Sequence, residues 1–159
     1  MSSQVKFLWV KAHGGFHPQN AIKGGEDTSG PNQNGPLYVA RAPYKGGIHP
    51  GKSNAFFGCF IPYGDKEIEF KDGYEELTGP QDAITWIDAS GRFSYDFVGD
   101  RVPFVAGHEE NGTPLFIVQA DLGSGRGVHC GKTSPGELAL ISYAGEQLMI
   151  NNYRIMVLA

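Results

Sequence analysis

Along the chain, apolar residues fall in short runs bounded by Gly, Pro or Asn, and no window repeats apolar positions at three and four over several turns. Ten runs read as strands: Val5–Val10, Leu37–Ala42, Ala55–Pro62, Lys66–Phe70, Tyr74–Leu77, Ile84–Asp88, Leu115–Ala120, Glu137–Tyr143, Gln147–Ile150 and Tyr153–Leu158. The intervals between them are too short for crossover helices, which predicts antiparallel sheet.

The second half of the chain repeats the first. Trp9-Val10 returns as Trp86-Ile87, Leu37-Tyr38-Val39-Ala40-Arg41-Ala42 as Leu115-Phe116-Ile117-Val118-Gln119-Ala120, and His49-Pro50-Gly51-Lys52 as His129-Cys130-Gly131-Lys132. Ile61-Pro62-Tyr63 matches Ile141-Ser142-Tyr143, and Tyr74-Glu75-Glu76-Leu77 matches Tyr153-Arg154-Ile155-Met156. The offset runs only from 77 (86 − 9) to 80 (132 − 52). A fixed period of this length marks tandem structural units. The expectation is an all-β fold of two pseudo-symmetric antiparallel units, residues 1–79 and 80–159, packed together like a sandwich in one compact body.

Composition narrows the function. With 40% hydrophobic and 19% charged residues in 159, the chain can bury a core. A net charge of −4 argues against nucleic acid or an anionic membrane as the main partner, since both need a basic face. No run approaches the roughly 18 apolar residues of a membrane span, so no membrane insertion is expected. Two cysteines do not make a disulfide scaffold. The opening Met1-Ser2-Ser3-Gln4-Val5-Lys6 has no leader pattern, which places the expectation in the cytoplasm, with unconventional export left open.

Among candidate motifs, Gly123 to Thr133 ends in Gly-Lys-Thr, but a phosphate loop needs glycine where Arg126 stands, and Ser134-Pro135-Gly136 forbids the following helix. His13, His17, His49, His108 and His129 show no metal-ligand spacing, so no metal and no cofactor is expected. His49 and His129 lie at matching positions beside the lysines, where they could help shape a pocket, but a turn role is the preferred reading. Cys130, near Lys132, is a candidate activated thiol, weakened by Pro50 at the matching position. The acids Glu26-Asp27 and Glu109-Glu110 are adjacent rather than opposed, which does not suit a hydrolase. Their place in the repeat is more telling. Asp27 precedes Lys52 by 25 residues and Glu109 precedes Lys132 by 23. A carboxylate and an ammonium at one loop end can accept from and donate to vicinal hydroxyls, as a sugar requires. A surface ion pair would use the same residue types.

These residues together resemble the DM-nine repeat family, which includes mannose-binding lectins of molluscs. The resemblance rests on Trp9-Val10, Asn20-Ala21-Ile22 with Gly24-Gly25, Leu37 to Ala42, Pro50-Gly51-Lys52, Ile61-Pro62-Tyr63-Gly64 with Lys66-Glu67, and Tyr74-Glu75. It implies calcium-independent recognition of mannose or mannose-containing glycans, such as those of microbial surfaces, in innate defence, by a homodimer that is not an enzyme. The sugar-binding acid and lysine it implies are Asp27 and Lys52, and in the second repeat Glu109 and Lys132. The rival reading is a non-enzymatic interaction module of stress or infection response with one or no sugar site. Glu109 in place of Asp, and Cys130 in place of Pro, make the Asp27 and Lys52 site the expected tighter one. A lysine serving only a pocket should be removable with loss of affinity and little loss of stability.

Overall fold

The computed structural model describes residues 6–30 and 35–159. Fourteen strands cross them: β1 (Leu8–Ala12), β2 (Lys23–Asp27), β3 (Gly35–Tyr44), β4 (Gly47–Asn54), β5 (Gly58–Tyr63), β6 (Lys66–Phe70), β7 (Tyr74–Thr78), β8 (Ile84–Ser90), β9 (Val105–His108), β10 (Pro114–Asp121), β11 (Gly127–Thr133), β12 (Ala139–Tyr143), β13 (Glu146–Ile150) and β14 (Asn152–Leu158). Among the described residues the helical segments are two 3₁₀ turns, Gln81–Ala83 and Tyr95–Phe97. The all-β expectation holds. The run read from Val5 is a strand from Leu8 onward, Val5 itself lying outside the described residues.

Within the first half β1 pairs with β7, β2 with β3, β3 with β4 and β7, β4 with β5, and β5 with β6. The second half repeats this scheme: β8 with β14, β9 with β10, β10 with β11 and β14, β11 with β12, and β12 with β13. Three seams join the halves, β2 to β11, β4 to β9 and β6 to β13.

These seams correct the sandwich expectation. The path β3–β2–β11–β12–β13–β6–β5–β4 returns to β3, so eight antiparallel strands close into a barrel, with the remaining strands attached outside that circuit. Closure pairs strands that would otherwise present open edges. The strands absent from the sequence reading, β2, β4, β9 and β11, are the ones that carry two of the seams.

Close approach explains their glycines. A Cβ on Gly25 would stand 2.1 Å from the Val128 carbonyl oxygen across the β2–β11 seam, and one on Gly107 would stand 2.0 Å from the Ile48 oxygen across the β4–β9 seam. No other residue fits there without parting the strands.

The core has three parts. One cluster lies in the first half around Ala40, Cys59, Ile61 and Tyr74, and one in the second around Phe116, Val118, Ile141 and Ile155. The third, with Ile22, Val39, Leu77, Ala106, Ile117 and Met156 all at 1% exposure or less, draws from both halves. Burying each large aliphatic side chain is worth about 1.5–3 kcal/mol, so this shared cluster ties the halves together.

Candidate functional site

The site is built on β4 and β11, which sequence reading took for turns. Pro50, Gly51 and Gly131 disguise them, yet both strands are buried almost throughout. Lys52 is 4% exposed and Lys132 is 3% exposed. Residues three apart on a strand face opposite sides, so Lys52 cannot reach His49 of its own tetrapeptide. Instead the pairs cross between the halves. Lys52 Nζ donates to His129 Nδ1 at 2.8 Å, and Lys132 Nζ donates to His49 Nδ1 at 2.8 Å.

Each histidine is held by its other nitrogen. His129 Nε2 donates to the Arg126 carbonyl at 2.7 Å and His49 Nε2 to the Tyr44 carbonyl at 3.2 Å. These partners select the neutral tautomer with the proton on Nε2. Burial, and then the adjacent lysine, lowers both His49 and His129 from 6.5 to about 4. Tyr143 meets the His129 ring edge-on and lies 5.6 Å from Lys52 Nζ; Tyr63 does the same for His49, 5.2 Å from Lys132 Nζ. Two lysine–histidine–tyrosine groups result, each with its lysine from one half and its ring partners from the other. The signal was present in the matched positions of His49 with His129 and Tyr63 with Tyr143, but not the crossing.

The two lysines differ in their remaining contacts. Lys52 also donates to the Ser142 carbonyl and forms an ion pair with Glu67 Oε2 at 3.6 Å, so its three N–H groups are directed at protein. The residue matching Glu67 is Gln147, and Lys132 has His49 as its one hydrogen-bond partner and no ion pair among the described residues. Burial lowers the pKa of the Lys52 ammonium, opposed by Glu67, and brings that of Lys132 down to about 8, opposed by Glu109. Lys52 therefore supports the wall of its pocket, against the expectation that it could be removed without structural cost.

Each acid named from the sequence shares a pocket with its lysine. Asp27 and Lys52 line one of about 620 Å³, together with Asn54, Phe57, Phe60, Glu67, Glu69 and Tyr143. Glu109 and Lys132 line another of about 400 Å³, with Asn111, Thr113, Ser134 and Glu137. Among the described residues no ion pair joins Asp27 to Lys52 or Glu109 to Lys132, which removes the surface salt-bridge reading of those two pairs. Asp27, at the end of β2, is 5% exposed; its Oδ1 accepts from Ser29 N at 2.9 Å and Ser29 Oγ at 2.6 Å. Asn54 Oδ1 accepts from the amides of Phe56 and Phe57, which shapes the β4–β5 turn and leaves the Asn54 amide group for the pocket. The first-repeat pocket thus offers carboxylate acceptors, one amide donor and an aromatic wall. The longer loop of the first repeat reaches it through Ser29 and Gly30, while residues 31–34 lie outside the described residues.

The other candidates fall away. Cys130 is fully buried, and burial pushes its thiol up to about 12, so it is not an activated nucleophile. Glu26 is spent on a surface pair with Lys23 at 2.7 Å. His17 donates to the fully buried Glu76 at 2.7 Å, an oxygen that Ser53 also reaches at 2.7 Å. Among the described residues no group of three or more His, Cys, Asp and Glu is placed to hold a metal. A concavity of about 630 Å³ over β8, β10 and β14 brings together Asp88, Asp121 and Arg154, without the buried polar set of the lysine pockets.

The model of the DM9 repeat matches residues 1–70 and 31–150 of the chain. No curated protein matches it. Among solved structures, the nematode sperm cell motility protein MFP2B is similar with a TM-score of 0.68 at 14% identity, over 98% of this chain and 47% of that one. The chain thus spans about half the length of that protein, and the likeness is one of fold.

Proposed function

Because the chain belongs to the DM9 repeat family, we propose that it is a lectin whose first-repeat pocket binds mannose-type sugars without calcium. The observation that carries this reading is that buried Asp27, whose hydrogen bonds to Ser29 use Oδ1, lines one pocket with Phe57, Phe60 and Tyr143. A sugar ring has hydroxyls on its rim and apolar C–H on its faces. Asp27, Glu67 and Glu69 accept from the hydroxyls, the Asn54 amide donates, and Phe57, Phe60 and Tyr143 cover the apolar face. Lys52 acts through Glu67 and His129, holding both against the pocket. An acceptor-rich pocket selects a neutral polyol over an anionic sugar, because added negative charge would meet the carboxylates. The second pocket, with Glu109 and Lys132, lacks aromatic side chains and is the weaker sugar site.

The experiment is a mannose-agarose column run with and without EDTA. Retention in both, released by free mannose, is the expected result; no metal ligand enters the proposed contacts. Retention lost in EDTA and restored by calcium rejects the calcium-free reading, and no retention favours an interaction module.

A further inference from the structure

We propose that Lys132 is a nucleophilic amine which captures a small hydroxyaldehyde as an imine in the second-repeat pocket. The two buried lysines occupy equivalent strand positions but are treated differently by their surroundings. Lys52 faces a histidine, a carbonyl and a carboxylate, which engage its N–H groups and hold it in place. Lys132 faces one neutral acceptor, His49 Nδ1, and opens on a pocket of about 400 Å³. The charged and titratable groups around it are His49 from β4, Tyr63 at the end of β5, Glu109 beyond β9 and Glu137 beyond β11. None forms an ion pair with it. With its pKa down to about 8, about one amine in ten is unprotonated at pH 7, against about one in three thousand for a lysine at 10.5.

The step balances without an oxidant or reductant. The Nζ lone pair attacks the aldehyde carbon, a C–N bond forms, and the carbonyl π pair moves to oxygen. His49 Nδ1 takes the proton shed by nitrogen and returns it to that oxygen, giving a carbinolamine. The nitrogen then expels the hydroxyl, which leaves as water with a second nitrogen-borne proton, and a C=N bond remains. Asn111, Thr113 and Ser134 supply polar groups for the hydroxyls of such an aldehyde.

The test is reductive trapping with glycolaldehyde and cyanoborohydride at pH 7, followed by peptide mapping. Labelling of Lys132 at least tenfold faster than of the seven other lysines, Lys52 included, is the expected result. Uniform labelling, or exposed lysines reacting while Lys132 does not, overturns the proposal. Glu109→Gln removes the charge that helps hold the proton on Lys132 and should speed labelling severalfold; an unchanged or slower rate counts against it. The readout needs no bound mannose, so its failure is separate from failure of the lectin reading.

Discussion

Lys52→Ala should lower the thermal midpoint by about 10 °C, while Lys132→Ala should lower it by no more than about half as much. Removing Lys52 leaves His129 Nδ1, the Ser142 carbonyl and the Glu67 carboxylate without their shared partner in a buried position. Breaking one side of a buried ionic group costs about 3–5 kcal/mol, and 1 kcal/mol moves the midpoint of a chain this size by roughly 2–4 °C. Removing Lys132 orphans only His49 Nδ1, worth about 1–3 kcal/mol. Differential scanning calorimetry of the two variants checks this. Equal shifts, or a Lys52→Ala midpoint within 2 °C of the parent, would show that the contacts of Lys52 do not carry the pocket wall.

Acid should unfold the protein through its histidines. In the unfolded chain His49 and His129 take up protons near pH 6.5, but in the folded chain only near pH 4. Between those values the unfolded state binds more protons, so stability is complete above pH 6.5 and is lost as pH falls toward 4. A gap of 2.5 units (6.5 − 4) corresponds to about 3–4 kcal/mol for each ring, or about 7 kcal/mol for both. That is a large share of a typical folding free energy. Glu76, whose carboxyl burial pushes upward, changes stability in the opposite direction over the acid range. The comparison is therefore between the parent and His129→Gln, by urea denaturation at pH 7 and pH 4.5. The variant should lose about half as much stability between the two pH values as the parent does. Parallel losses in both would show that His129 is not held neutral.

Many strands are legible in the sequence because Gly or Asn bounds their short apolar runs, as at Tyr74–Leu77 after Gly73 and Gln147–Ile150 before Asn151. The repeat is legible too, since Trp9, Lys52 and Tyr74 each return after nearly the same interval. The barrel is not. Its closure depends on β2, β4 and β11, and β9 adds to β4 from the other half; residues such as Lys23-Gly-Gly-Glu-Asp and Gly47-Ile-His-Pro-Gly-Lys carry the markings of turns. Glycine stands there because Val128 and Ile48 carbonyls press on it from the other half, a constraint that exists only after the halves meet. The same holds for the site. Asp27 and Lys52 could be named in advance, but the His129 that Lys52 binds lies 77 positions away, in the partner repeat.

Asp27 is the residue on which sugar binding in the first-repeat pocket depends most directly, and the decisive measurement is calorimetric titration of Asp27→Asn with mannose beside Glu109→Gln. Asparagine keeps the oxygen that accepts from Ser29 and so preserves the turn, but it removes the charge offered to a sugar hydroxyl. A hydrogen bond to a charged group is worth about 1.5–3 kcal/mol, so Asp27→Asn should weaken mannose binding by roughly 10- to 100-fold with little change in thermal midpoint. Glu109→Gln should leave the main binding phase intact. Unchanged affinity in Asp27→Asn, or loss of the main phase in Glu109→Gln alone, would contradict the placement of the sugar in the first-repeat pocket.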